Sequence, residues 1–129
     1  MLEKFRVWVP SENKMFMVRS IIFTEEGKVS QIEYFDDNRT VTVKIGQGKL
    51  MQSIGFRDYH KTEIFEGDFI RFAREYLETL PEEEAEKKKD YATLVCCLRW
   101  VWEEAHTHGF DLNQIEVFSH MYASPEEEA

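Results

Sequence analysis

Hydrophobic and polar positions alternate through most of the first half of the chain, and short polar clusters separate the alternating runs. Phe5-Arg6-Val7-Trp8-Val9 predicts a first strand; Pro10 ends it, and Ser11-Glu12-Asn13-Lys14 makes a turn. Met15 to Phe23 is a second β-rich run, and Thr24-Glu25-Glu26-Gly27 is a hairpin tip. Lys28 to Phe35 returns. Period two puts Val29, Gln31, Glu33 and Phe35 on one side and Ile32 and Tyr34 on the other. Asp36-Asp37-Asn38-Arg39 turns again, Thr40 to Ile45 is β-branched and alternating, and Gly46-Gln47-Gly48 closes the run. Residues 1–48 thus predict a β-meander or small open barrel, with no internal repeat at a fixed period.

The next stretch, Leu50 to Phe72, reads as strand, turn, short strand, tight turn, strand. Glu66-Gly67-Asp68 lies between the apolar pairs Ile64-Phe65 and Phe69-Ile70. Gly accepts φ > 0 and Asp accepts a local backbone hydrogen bond, so this is a turn with a mechanism. After it, Phe69, Arg71 and Ala73 point one way, and Ile70, Phe72 and Arg74 the other. Gly55-Phe56-Arg57-Asp58 reads as a second turn of the same kind. Glu66 and Asp68 can also be read as a carboxylate pair for acid–base work or a cation, but two acids beside a Gly point first to turn chemistry. Gly55, Asp58, Glu66, Gly67 and Asp68 therefore form an expected structural motif, not a catalytic one.

Beyond Phe72 the pattern changes. Pro81 to Asp90 is a low-complexity run of acids and lysines; Glu83 with Lys87 and Glu84 with Lys88 have the i,i+4 spacing of a short solvated helix within the insert 74–90, and a mobile insertion between two strands is the alternative. From Tyr91 to Ala105 two periods compete. Leu94, Leu98, Val101, Trp102 and Ala105 fit one helical face, with Gly109 as a stop. As a strand, Leu94, Cys96, Leu98, Trp100 and Trp102 share one face, while Val95, Cys97 and Val101 share the other.

Composition narrows the class. The chain has 129 residues, enough for one good core or two small ones, and its 14% aromatic content favours strands over a helix bundle. No apolar run approaches the roughly 18 residues of a membrane span, and Met-Leu-Glu-Lys-Phe-Arg-Val-Trp lacks the apolar core of a signal peptide, so a cytoplasmic protein is expected. Cys96 and Cys97 are adjacent. A bond between them would be strained, and free buried thiols fit a reducing compartment. The formal net charge of −9, without a basic stripe, argues against a duplex-binding role and suits a basic protein partner or simple solubility.

Candidate chemistry is thin. His106 and His108 would share one face of a strand and, with Cys96 or Cys97, can be imagined around zinc. There is no CxxC and no His-x3-His spacing, so no metal and no cofactor are expected, and the residues read as a polar tip near Gly109. A Cys–His nucleophilic pair has no marked base and no oxyanion hole. No phosphate-binding glycine loop is present; Gly46-Gln47-Gly48 lacks the strand-to-helix setting. Trp8, Trp100 and Trp102 can be read as a base-stacking platform, or as core and subunit interface, and the acidic charge favours the latter. No catalytic residue is assigned.

The ordered set Met51, Gln52, Gly55, Asp58, Glu63, Ile64, Glu66, Gly67 and Asp68, with Phe65 at a Tyr position, resembles the central motif of the YopX-like proteins of phages and prophages. Lys4-Phe5-Arg6-Val7-Trp8 with Asn13-Lys14-Met15 looks like that family's start. Glu116, Val117, Tyr122, Pro125 and Glu126 match its closing motif, where Ser119-His120 replaces Gly-Asn. The insert 74–90 matches nothing in it. At the hairpin tip this chain has His60-Lys61-Thr62 where the family has Asn-Gly-Lys, and Lys61 accepts φ > 0 poorly, so a rebuilt tip is expected. The resemblance implies a mostly β fold: the meander, then residues 49–129 as motif segment and SH3-like barrel carrying the insert. It also tips Tyr91–Ala105 toward a strand, with Gly109-Phe110-Asp111-Leu112 starting the return. Such a strand leaves Val95, Cys97 and Val101 to be covered, for which a second subunit is the expected solution. The implied role is that of a phage or prophage accessory protein in the bacterial host cytoplasm, a non-enzymatic binding or self-associating module. Its partners would be other copies or a host or phage protein. The alternative is a nucleic-acid binder using aromatic residues of the C-terminal barrel.

Overall fold

In the computed structural model, which describes residues 5–123, the chain is mostly β and divides inside one strand, between Ser53 and Ile54, into two compact units. Lys4, Pro125, Glu126 and the acidic tail lie outside the described residues.

The first unit holds β1 (Phe5–Val9), β2 (Lys14–Phe23), β3 (Val29–Asp36), β4 (Arg39–Lys44) and the first half of β5 (Lys49–Arg57), in the order β4-β3-β2-β1-β5. Every pairing between them is antiparallel. The expected alternation of β3 is observed. Ile32 and Tyr34 are buried with Val7, Val9 and Phe16, and the Phe16 and Tyr34 rings meet edge to face at 4.3 Å. Gly48 sits where a Cβ would lie 2.7 Å from Val7 Cγ2, so β5 enters beside β1 only because this position has no side chain.

The second unit contains the rest of β5, with β6 (Glu63–Phe65) beside it, and a separate sheet of order β8-β7-β9, formed by β7 (Asp68–Phe72), β8 (Ala92–Leu94) and β9 (Ile115–His120). Helices α1 (Arg74–Leu77), α2 (Glu82–Lys88) and α3 (Leu98–His108) complete it, with a 3-10 turn at Leu112–Gln114. Ile54, Ile64, Ile70, Phe72, Val95, Val101, Phe110, Leu112 and Ile115 form its core. The sheets are open, and the described strands do not close a barrel.

Several expectations change here. Gly55, Phe56 and Arg57 are not a turn: they continue β5, and the reversal runs from Asp58 to Thr62. The alternation after Asp68 stops at Phe72. Ala73 is buried next to it and Arg74 already begins α1. The insert does form helix, as α2, which buries no residue.

The largest correction concerns Tyr91–Ala105, which is a strand only over Ala92–Leu94 and a helix from Leu98. The helical period puts Leu98, Val101 and Ala105 on the core while Arg99 and Glu103 pair outside at 3.4 Å. As a strand, the two Trp would have had to share a face with Leu98. Gly109, at φ 68, stops α3 in the left-handed region. Phe110, instead of leading a return strand, donates its N–H back to the Ala105 carbonyl and buries its ring. Val95 and Val101 are fully buried within this unit, so the face expected to need a second subunit is covered from within the chain. Cys96 is exposed and Cys97 only partly covered, against the expectation of two buried thiols.

Candidate functional site

Of the motif residues, Gly67 and Asp68 shape one turn and Asp58 another, while Gly55 lies within β5. Gly67 has φ 97, and its N–H and C=O bond to Val95 O and Met121 N at 2.6 and 2.8 Å. The Asp68 carboxylate, 1% exposed, accepts from Phe65 N at 2.8 Å. Asp58 does more. One carboxylate oxygen accepts from His60 N and Thr62 N, both at 2.9 Å, and the other from Val117 N at 2.8 Å. Tyr59 N adds a bond to Ile115 O at 2.8 Å. The tip is therefore rigid and fastened to β9. The rebuilding expected at the missing Gly takes a definite form: Lys61 N reaches Asp58 O, Lys61 itself stands at φ 66, and Asp58 N closes on Thr62 O. This is a type I turn followed by a left-handed residue.

That tip carries His60 to a polar cluster. Arg71 of β7 and Glu116 of β9 are cross-strand partners, and Arg71 Nε donates to Glu116 Oε2 at 2.7 Å. Arg71 also lies over the Phe118 ring at 4.6 Å, which holds the guanidinium in place. The other oxygen, Glu116 Oε1, is 3.0 Å from His60 Nε2, and Glu75 of α1 brings Oε2 to 3.8 Å from the same nitrogen. Glu116 is 8% exposed, with Ile115 fully buried beside it, so the start of β9 is covered on both faces. Arg71, Glu75 and Glu116 line a hollow of about 510 Å³ with Phe72, Arg74, Leu77 and Lys89.

The electrostatics follow from these contacts. The Glu116 hydrogen bond raises His60 above the ordinary imidazole value, desolvation opposing, with the Glu75 and Asp58 charges adding to it. Burial pushes the Glu116 carboxyl up, but the bonds from Arg71 and His60 together outweigh it and hold the group below the usual carboxylate range.

The sequence reading had none of this cluster as a site. Its members stand 4 to 56 residues apart in the chain, and only the pattern of β7 and β9 hints at it. Ile70-Arg71-Phe72 and Ile115-Glu116-Val117 each set one charge of opposite sign between buried or half-buried apolar residues. Conversely, His106 and His108 are not on one face: they are two residues apart on a helix, about 200° around it. His108 lies 3.6 Å from Glu104, and no described cluster joins either His to the cysteines. The three Trp do not make one platform. Trp8 is buried in the first unit and Trp100 packs on the second core, while Trp102 is exposed, its ring edge to face with half-exposed Phe56 at 5.2 Å. Leu98, Arg99, Trp102, Glu103, His106 and Thr107 border an open hollow of about 780 Å³ on the outer side of α3.

Compared with known proteins, residues 4–127 match the model of the family described as YopX protein. No curated protein matches the chain significantly. Among solved structures, the crystal structure of protein EF1440 from Enterococcus faecalis aligns over 100% of this chain and 99% of its own at 18% identity, with a TM-score of 0.56, a likeness of fold.

Proposed function

The chain belongs to the YopX family, and we propose that it acts as a non-enzymatic binding module of phage or prophage origin that self-associates through the outer face of α3. The observation that carries this reading is the exposed aromatic pair. Trp102 is 45% and Phe56 39% exposed, and large aromatic rings such as Trp are enriched at interfaces, here beside an open hollow. A second copy is the occupant we favour because the face complements itself. Arg99 and Glu103 lie one turn apart along it, so two antiparallel copies of α3 set each Arg99 against the partner's acid. One further point supports binding over catalysis: the motif carboxylates of Asp58 and Asp68 are taken up by backbone N–H groups. The cysteines are free thiols, which suits a reducing cytoplasm.

Light scattering after size exclusion tests this. The wild type is expected to run as a dimer at tens of micromolar and Trp102→Asp as a monomer with unchanged far-ultraviolet circular dichroism. A strictly monomeric wild type refutes self-association.

A further inference from the structure

We propose that His60, Glu75 and Glu116 form a binding site for one divalent transition-metal ion of the zinc class, which nothing in the motif or its spacing announces.

The ligand atoms come from separate segments, the hairpin tip, α1 and β9, and all lie within 4.8 Å of one another. Zinc bound to nitrogen and carboxylate oxygen at about 2.0–2.1 Å in a tetrahedron holds its ligand atoms about 3.3 Å apart. The observed 3.0 Å from His60 Nε2 to Glu116 Oε1 and 3.8 Å to Glu75 Oε2 bracket that spacing. Glu75 is half exposed on a short helix, so its side chain is free to swing toward Glu116 and close the remaining distance.

The support around the ligands is what separates this cluster from a chance meeting of surface charges. His60 is presented by a tip that Asp58 holds with three backbone hydrogen bonds. Glu116 is nearly buried, and Arg71 engages its Oε2 so that Oε1 alone faces His60. Arg71 is in turn seated on Phe118. An outer hydrogen-bond partner that fixes a ligating carboxylate in one orientation is the usual companion of a metal ligand. A metal takes the imidazole in its neutral form, displacing the His60 proton, and the two carboxylates supply the negative charge that draws the ion beside the Arg71 guanidinium. The imidazole selects zinc, nickel or copper over magnesium and calcium, which prefer all-oxygen shells. Three protein ligands leave the tetrahedron open. Because Glu75 and Glu116 line the hollow that also contains Arg74 and Lys89, the open position suits water or a small anion.

The test is zinc chloride titrated into the purified full chain, stripped of metal, by calorimetry and equilibrium dialysis. One equivalent per chain at sub-millimolar affinity is expected. His60→Ala and Glu75→Gln should each weaken binding at least tenfold, and His106→Ala should leave it unchanged. Cobalt in place of zinc should give visible d–d absorption that Glu75→Gln removes. Both substituted side chains are about half exposed, so the variants are expected to keep the wild-type circular dichroism, and Glu75→Gln decides the matter if His60→Ala does not fold. Absence of saturable uptake overturns the proposal. So does uptake that survives both substitutions or that is lost in His106→Ala.

Discussion

Gly67 shows how much one position can carry. Its φ of 97 is open to Gly and strained for a β-branched residue, and its two backbone groups tie the turn to Val95 on one side and to Met121 on the other. Gly67→Val therefore has to distort a turn that lies across the whole sheet of the second unit. We expect a loss of more than about 1 kcal/mol, read as a lower urea midpoint at unchanged slope; an equal midpoint would remove the turn assignment. Asp58 is the complementary case. A short carboxylate buried against N–H donors gives the hairpin tip its shape and anchors β9 at once, and Lys61 takes the left-handed position as a consequence. The motif is thus conformational chemistry, and what it positions is the His60 side chain that meets Glu116 and Glu75.

At the scale of elements, α1 and α2 differ although both fall in the same insert. Tyr76 and Leu77 of α1 pack on the core of the second unit, and Tyr76 stacks on Phe72 with centroids 5.9 Å apart. In α2 no residue is buried, and its main tie is Lys88 Nζ over the Phe72 ring at 4.6 Å. An exposed cation–π contact contributes about 0.5–1 kcal/mol, and a solvated helix buries little apolar area. Replacing Glu82–Lys88 by a Gly-Ser linker is accordingly expected to lower stability by no more than about 1 kcal/mol and to preserve the near-ultraviolet circular dichroism. Collapse of that signal would show that α2 supports the core. Extending the replacement back to Tyr76 should be far more damaging, since it removes a ring from the Phe72–Tyr91–Phe110 cluster.

For the molecule as a whole, the relevant fact is that each unit has its own apolar cluster. Ile32 is fully buried in the first and Ile70 in the second. Truncating either leaves a cavity, and an Ile→Ala change in a packed core costs about 2–5 kcal/mol. Ile32→Ala and Ile70→Ala are each expected to fall in that range. Amide exchange should accelerate most in the unit that carries the substitution. Uniform acceleration over both units from either variant would mean that they open together.

Local rules determined much of this protein. Period two located β1 to β4 and the inner face of β3, because a strand half in water needs that alternation and the Gly-, Asn- and Asp-rich reversals permit few other geometries. The Gly67 turn was legible for the same reason. The i,i+4 charges marked α2, and the ordered motif residues pointed to the family that residues 4–127 match. What tertiary structure alone decided was the fate of segments whose local preferences are balanced. Tyr91–Ala105 satisfies both periods, and as a helix it sets Leu98, Val101 and Ala105 together on the second core while Arg99, Trp102 and Glu103 stay outside, which a strand would not do. The His60–Glu75–Glu116–Arg71 cluster is of the same origin. It depends on the β7–β9 register that sets Arg71 opposite Glu116, and on a tip folded onto β9 by Asp58. Spacing along the chain encodes neither, because one arises from strand pairing and the other from a side-chain bond, between residues 45 and 59 positions apart.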